Sequence, residues 1–306
     1  MSAVKLLAIN GPTASGKSDL ALRLARELAD RRPVEIVNAD SMLVYRGMDI
    51  GTAKPSRAQR AAVPHHLVDI MDVTEEASVA LFQRLARQAV AEVGGRGALP
   101  VLVGGSALYM RAVLDAFEFP ATDPAVRARW EEALRERGPQ ALHSELARLA
   151  PEAAAAIEPG NGRRIVRALE VVELTGSFTA VIPEPEYALE GVEQIGLTLE
   201  RGVLDARIEQ RVREMWRAGF VDEVAGLLER GLRRGRTASR ALGYRQIIRF
   251  LDGEIGEDEA FEATVVGTRR FARKQLAWFK RDPRIVWFDA LEGTDQAVSH
   301  VRARLA

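Results

Sequence analysis

The chain has 306 residues, room for one large domain with an insertion or two modest ones, and the apolar and charged fractions of an ordinary globular protein. Its 43 Lys and Arg balance 43 Asp and Glu, so net charge argues for no particular partner and any nucleic-acid surface must come from local clustering. The absence of cysteine excludes disulfides and thiol chemistry. No stretch resembles a signal peptide or is apolar for long enough to span a bilayer, so a cytoplasmic protein with no membrane partner is expected.

Val4, Leu6, Leu7, Ala8 and Ile9 predict a buried parallel strand, and Leu20, Leu24 and Leu28 recur at helical spacing. Between them stands Gly11-Pro12-Thr13-Ala14-Ser15-Gly16-Lys17-Ser18, a complete G-x-x-x-x-G-K-S phosphate-binding loop in a strand-to-helix context. The glycines let the backbone curl into an anion nest at a helix N-terminus. Lys17 adds a cation for the outer phosphate oxygens, and the Ser18 hydroxyl suits a bridging Mg²⁺. The loop alone does not say whether its phosphates belong to a nucleotide or to another pyrophosphate.

Val34 to Val37 predicts a second strand that delivers Asn38-Ala39-Asp40-Ser41 to its C-terminal end, where ligands bind in doubly wound sheets. Asp40 is there a magnesium ligand through water, a general base, or a cap of the next turn. Residues 42 to 55, rich in glycine and in charges of both signs, read as a functional loop. The adjacent His65 and His66 point in different directions, which favours surface or structural roles over a metal site.

A helix is predicted over Ser78 to Val93, then a buried strand over Pro100 to Val103 and a second glycine-rich strand-to-helix turn, Gly104-Gly105-Ser106-Ala107, leading to a helix ending at Leu114. Ser106 either offers its hydroxyl to the ligand of the first loop or caps its own helix. No acidic residue closes this strand, which weakens an ATPase reading. From 120 to 190 the pattern changes to consecutive short helices, broken at Gly138-Pro139 and Gly176, and reads as a helical insertion between core segments 1–119 and 191–306. Arg163, Arg164 and Arg167 face an anionic partner or merely solvate a helix. Val192 to Leu199 returns to strand-like alternation.

In the C-terminal third, Arg207 and Arg211 recur at helical spacing, and 238–246 places Gly243 between arginines and Tyr244. Over Thr268 to Lys280, basic residues Arg269, Arg270, Arg273, Lys274, Lys280 and Arg281 interleave with Phe271, Leu276, Trp278 and Phe279. Such a helix holds an RNA backbone or docks on the chain's own acidic stretch, Glu254 to Glu262. The expected fold class is α/β, a P-loop NTPase-like parallel sheet flanked by helices, with the helical insertion domain.

Taken together the motifs resemble the tRNA dimethylallyltransferase family, also called tRNA isopentenyltransferase. The matching pieces are residues 11–18, Ala-Asp-Ser-Met at 39–42 with 44–55, Pro-His-His-Leu at 64–67, Gly-Gly-Ser-Ala-Leu-Tyr at 104–109, Arg-Ala-Leu-Glu-Val at 167–171, Gly-Tyr-Arg-Gln at 243–246, and Arg-Lys-Gln at 273–275 with Trp278-Phe279. They run in family order along nearly the whole chain. The resemblance implies transfer of a dimethylallyl group from its diphosphate to N6 of adenine 37 in tRNAs that read codons beginning with U. Gly11, Pro12, Thr13, Ala14, Ser15, Gly16, Lys17 and Ser18 would then hold the diphosphate with Mg²⁺, and an arginine from Arg207, Arg211 or Arg245 would clamp it. Asp40 would take the amine proton, helped by Ser106. Asp40, Ser41, Met42, Leu43, Ser106, Arg127, the segment Arg163, Arg164, Ile165, Val166 and Arg167, and Arg240, Gly243, Tyr244 and Arg245 would meet the tRNA anticodon stem-loop. A monomer is expected.

Two departures stand out. Leu43 replaces the family's usual glutamine and cannot reproduce its hydrogen bonds to bases. Ser106 replaces threonine, keeping the hydroxyl without the methyl that restricts its rotamer. Ala277, where threonine is common, has no evident consequence. The alternative function is a P-loop small-molecule or nucleotide kinase; a non-catalytic RNA-binding protein is a further rival, and a GTPase is disfavoured because no N-K-x-D segment occurs.

Overall fold

Five consecutive buried residues, Leu6–Asn10, form β1, the strand that leads into the phosphate loop. The computed structural model describes residues 4–116, 119–179 and 183–305. Among the described residues β1 joins β2 (Val34–Asn38), β3 (His65–His66), β4 (Leu99–Gly104), β5 (Val192–Thr198) and β6 (Val286–Asp289) in one sheet of order β3-β2-β4-β1-β5-β6. Every pairing is parallel. In chain order the helices are α1 (Lys17–Glu27), α2 (Arg57–Ala62), α3 (Val79–Gly95), α4 (Ala107–Leu114), α5 (Pro124–Leu149), α6 (Pro151–Ala155), α7 (Gly162–Thr175), α8 (Arg201–Arg217), α9 (Phe220–Glu229), α10 (Tyr244–Leu251), α11 (Glu257–Phe279) and α12 (Thr294–Arg304). The P-loop-type α/β fold expected from the sequence is present.

Side chains alternate across a strand, so β1 feeds two cores. Leu7 and Ile9 pack with Leu20, Leu24 and Leu28 from the α1 segment and with Val298 and Val301 of α12. Leu6 and Ala8 pack with Phe82 and Ala86 of α3 and Met110 and Val113 of α4. β2 lies beyond β4 on one side of β1 and β5 on the other, which puts the topological switch point beside β1. The crevice beyond the strand C-termini at that point is where ligands bind in such sheets.

Two strands differ from the sequence reading. β5 does not alternate: it is buried along its centre because β1 and β6 flank it, and its polar residues find partners inside. Glu193 accepts from Arg304 at 2.9 Å, and Gln194 accepts from Asn10 at 3.1 Å. β3 is the other surprise, since His65 and His66 form a two-residue edge strand. His66 Nε2 lies 2.6 Å from Glu35, and burial lowers the His65 pKa, so both histidines hold structure.

The stretch 44–55 is a pinned element rather than a free loop. Tyr45 and Met48 are buried with Phe220, Val224 and Tyr244. Glu223 of α9 accepts backbone N–H groups from Asp49, Ile50 and Gly51 at 2.9, 2.7 and 3.2 Å, and the Tyr244 hydroxyl at 2.6 Å. A Cβ at Gly51 would lie 2.2 Å from the Phe220 ring, so only glycine passes this point. Lys54, its side chain almost fully buried, answers Asp49 at 2.6 Å and Asp69 at 2.5 Å.

Residues Phe117–Pro185 form a separate compact unit, against the expected 120–190. Its α5 breaks at Gly138, where the backbone turns to φ 76, as the Gly-Pro pair suggested. Leu142, Leu146, Ile165, Val166 and Leu169 make its core. Glu170 is fully buried there and accepts from Thr122, Arg127 and Arg167 at 2.6, 3.0 and 2.8 Å. Burial pushes its carboxyl up, but these bonds together hold it below the ordinary glutamate value.

Glu223→Ala leaves three backbone donors and the Tyr244 hydroxyl without their acceptor. Urea denaturation should show a loss of about 2–3 kcal/mol, the cost of stranding partly buried polar groups.

Candidate active site

The phosphate loop curls because two of its residues take left-handed backbone: Ala14 at φ 61 and Gly16 at φ 88. Gly11, at φ +146, sits where a Cβ would lie 2.7 Å from the Leu197 carbonyl of β5. This is a nest of the kind that binds anions at a helix N-terminus. The N–H groups of Ala14, Gly16, Lys17 and Ser18 have no backbone partner among the described residues, as the first turn of a helix requires. Lys17 Nζ and Ser15 Oγ both donate to the Pro12 carbonyl, at 2.6 and 2.9 Å.

Asp40 is set by its neighbour on the strand. Asn38 accepts the Asp40 N–H at 2.7 Å and returns a bond to the Asp40 carbonyl at 3.0 Å. Asp40 Oδ1 then accepts the Met42 N–H at 2.8 Å, so the capping role holds for one oxygen. Oδ2 has no bonded partner among the described residues and remains for chemistry.

Two cavities meet at Asp40. The first, about 510 Å³, is lined by Thr13 to Ser18, Asp40, Leu43, Arg207, Arg211 and Gln275. The second, about 440 Å³, is lined by Asp40, Ser41, Met42, Ser106, Arg211, Arg240, Arg245 and Gln275, with Ile208, Val212, Met215 and Phe220 as an apolar wall. Asp40, Arg211 and Gln275 therefore border both.

Charge within the first cavity is tightly coupled. Burial drives the Lys17 ammonium down to about 7, opposed in part by Asp40 and assisted by Arg211. Burial also lowers Arg211, while Asp40 and Asp19 pull it back up. A dianion placed in the nest supplies the charge that both cations lack.

The structure sorts the expected residues. Arg207 and Arg211 line the first cavity with the phosphate loop, whereas Arg245 lines the second, which Arg211 and the loop residues Thr13 and Ala14 also border. Ser106 begins α4 without a side-chain cap bond, so it lines the second cavity rather than serving as the helix cap. Leu43 lies in the first cavity, apart from Ser41 and Met42 in the second. Tyr244 is fully buried with its hydroxyl on Glu223, and Gly243 turns the chain at φ +85 beside Phe220, so both build the wall instead of presenting groups to a partner. Ile165 and Val166 belong to the core of the 117–185 unit and have no exposed side chain to offer RNA. Of that unit's cations, Arg127 and Arg167 are paired to Glu170, and Arg163 and Arg164 are exposed.

Gln275 and Asn38 lie within the sequence motifs but carried no assigned role there, and the structure brings both into the site. Gln275 Oε1 accepts the Thr13 N–H at 2.9 Å, and its Nε2 donates to the Gly105 carbonyl at 2.7 Å. One amide thus ties the phosphate loop to the second glycine-rich turn across 262 residues of sequence. A glutamine at a buried position in an otherwise basic helix was the signal available.

A family model for "IPP transferase" matches residues 43–282. The chain belongs to the IPP transferase family. Membership makes it a prenyl-transferring enzyme. It is 56% identical over 303 residues to the tRNA dimethylallyltransferase of Cutibacterium acnes, covering 98% of this chain and 95% of that one. The Kineococcus radiotolerans protein of the same name is 59% identical over 95% of this chain and 93% of its own length. The tRNA isopentenylpyrophosphate transferase of Bacillus halodurans superposes with a TM-score of 0.71 at 40% identity, covering 98% and 96% of the two chains. A eukaryotic dimethylallyltransferase solved acting on tRNA shares the fold, at 23% identity and TM-score 0.78 over 98% of this chain and 78% of that one.

Because an anion in the nest favours the Lys17 ammonium, inorganic diphosphate should take up protons on binding just above pH 7, and its affinity should fall as pH rises from about 7 to 9, by up to about tenfold per unit. Titration calorimetry in two buffers of different ionisation enthalpy reads the uptake directly; Lys17→Met should abolish it.

Proposed function

We propose that this chain transfers the dimethylallyl group of dimethylallyl diphosphate to N6 of adenine 37, beside the anticodon of tRNAs that read codons beginning with U. The observation that supports it is the position of Asp40, on the border between an anion nest and a second cavity with an apolar wall. The diphosphate lies along the loop N–H groups, Lys17, Arg207 and Arg211. The allylic C–O bond breaks with its electron pair leaving on the diphosphate, whose growing charge these fixed donors stabilise more than they stabilise the substrate. The adenine leaves the anticodon-loop stack and enters through the second cavity. Its N6 lone pair forms the new C–N bond while Asp40 takes the N6 proton, giving N6-isopentenyladenosine and diphosphate. Ser106 orients the entering base. Arg240 and Arg245 at the second cavity, and the arginines of the insertion unit, hold the anticodon stem-loop.

Among the described residues no group of three or more acidic or histidine side chains could hold a metal. A cation here therefore takes most of its ligands from phosphate oxygens and water with the Ser18 hydroxyl, a donor set that suits Mg²⁺. Bound there, Mg²⁺ would supply charge neutralisation to the departing diphosphate. A kinase reading gains no support, since β4 ends in Gly104 and Gly105, which line the first cavity without a carboxylate. A Cβ at Gly104 would lie 2.5 Å from the Ala39 carbonyl oxygen, so glycine is needed where this strand end meets the segment before Asp40.

Incubation with dimethylallyl diphosphate and an anticodon stem-loop should yield prenylated RNA, and ATP should give no phosphate transfer. Asp40→Asn should lower kcat about 10²- to 10⁴-fold while stem-loop affinity stays within about twofold. Undiminished turnover in that variant would remove the general-base assignment, and phosphoryl transfer without prenylation would replace the whole reading with a kinase.

A further inference from the structure

The outer face of α11 is the basic feature that the reaction leaves unused. The alternative expected for it, docking on the acidic stretch 254–262, does not occur: Glu257, Asp258, Glu259 and Glu262 are the first turns of the same continuous helix. Arg269 alone among its cations is committed inward, to the Asp205 carbonyl and Glu209 at 2.8 Å. Arg270, Arg273, Lys274 and Lys280 are exposed, and no ion pair engages them among the described residues. Two large rings are exposed as well, Phe271 at 47% and Trp278 at 43%; at about 100° per residue Arg270 and Lys274 flank Phe271, while Arg273 and Lys280 stand on the far side of the helix's exposed surface. Seven residues separate these rings, which places them on one side of the helix about 10 Å apart along its axis. Arg281 already stacks on Trp278, 5.3 Å from the ring centre.

Phe271 differs from Trp278 because it also borders the second cavity, with Arg240, Arg245, Thr268 and Gln275. An uncovered ring at the entrance of a cationic cavity, flanked by unpaired cations, has the composition of a single-strand nucleic-acid platform. An acidic protein partner would meet the cations but would leave the ring unused. We propose that Phe271 is a positioning residue: its ring stacks on the nucleotide adjoining the extruded adenine, while Arg270 and Lys274 hold that nucleotide's phosphates. Stacking there holds the neighbouring base outside and leaves only the target base to reach Asp40. The inference rests on the second cavity being the entrance for RNA.

Phe271→Ala should raise the KM for an anticodon stem-loop about tenfold, the range of base–aromatic stacking, with the KM for dimethylallyl diphosphate unchanged; Phe271→Tyr should restore it. The penalty should vanish with stem-loops that lack the base on the stacking side of adenine 37, tested with abasic sites at 36 and at 38. An Arg270→Gln, Lys274→Gln double variant should reduce the salt slope of stem-loop binding by about 1.4, the release expected from two single-strand phosphates. Because Phe271 is half-exposed, thermal unfolding should match the wild type, which separates these effects from misfolding. An unaltered KM in Phe271→Ala, or the same penalty on both abasic stem-loops as on the intact one, overturns the inference while leaving the transferase reading in place. A wild-type protein that prenylates no stem-loop overturns both.

Discussion

A charge problem governs this site. Two desolvated cations, Lys17 and Arg211, both feel Asp40 across a cavity, above a loop in which the N–H groups of Ala14, Gly16, Lys17 and Ser18 lack backbone partners. Burial strips water from Lys17 faster than Asp40 can compensate, and the ammonium is driven to about 7. A bound diphosphate relieves each of these costs at once, since it accepts the orphan donors and neutralises both cations. Asp40 is then relieved of its role as their counter-charge, as the proposed proton acceptor would need to be.

The scaffold keeps that arrangement narrow. β1, β2 and β4 end side by side, so the phosphate loop, Asp40 and the Gly104–Gly105 turn emerge at one edge of the sheet. Gln275 then fastens the loop to the turn, and Asn38 fixes the backbone of Asp40 from both sides. Glu223 draws residues 49–51 onto α9, closing the wall that carries Phe220 and Tyr244. Small errors in position are costly in such a reaction, because the attacking nitrogen, the carbon and the leaving oxygen must be aligned.

What the sequence made legible follows how local each cause is. The phosphate loop, its strand and its helix are contiguous, so residues 6–27 could be read directly, and the Gly138 break and the glycine turn at 104–105 were likewise written in neighbouring residues. Asp40 was found as a candidate, but only the Asn38 and Met42 bonds show that one oxygen caps and the other is available. Gln275 was hidden because its partners lie 262 and 170 residues away. Arg207, Arg211 and Arg245 looked equivalent in one dimension, and only the folded cavities tell them apart: Arg207 lines the first, Arg245 the second and Arg211 both. The same holds for Ile165 and Val166, carried into the binding set by their arginine neighbours although helical geometry turns them into the core. Residues 44–55, read as a functional loop, do both jobs: Lys54 and Tyr45 are internal supports, while Gly51, Thr52 and Ala53 line the cavities.

The central claim is that one carboxylate stands between a departing diphosphate and an incoming adenine amine. A crystal structure of the protein with an anticodon stem-loop and an uncleavable thiol analogue of dimethylallyl diphosphate tests it most directly. The account predicts the diphosphate on Lys17 and Arg211 and the target N6 within about 3 Å of Asp40 Oδ2. An amine held far from Asp40, or a diphosphate seated outside the nest, would contradict it.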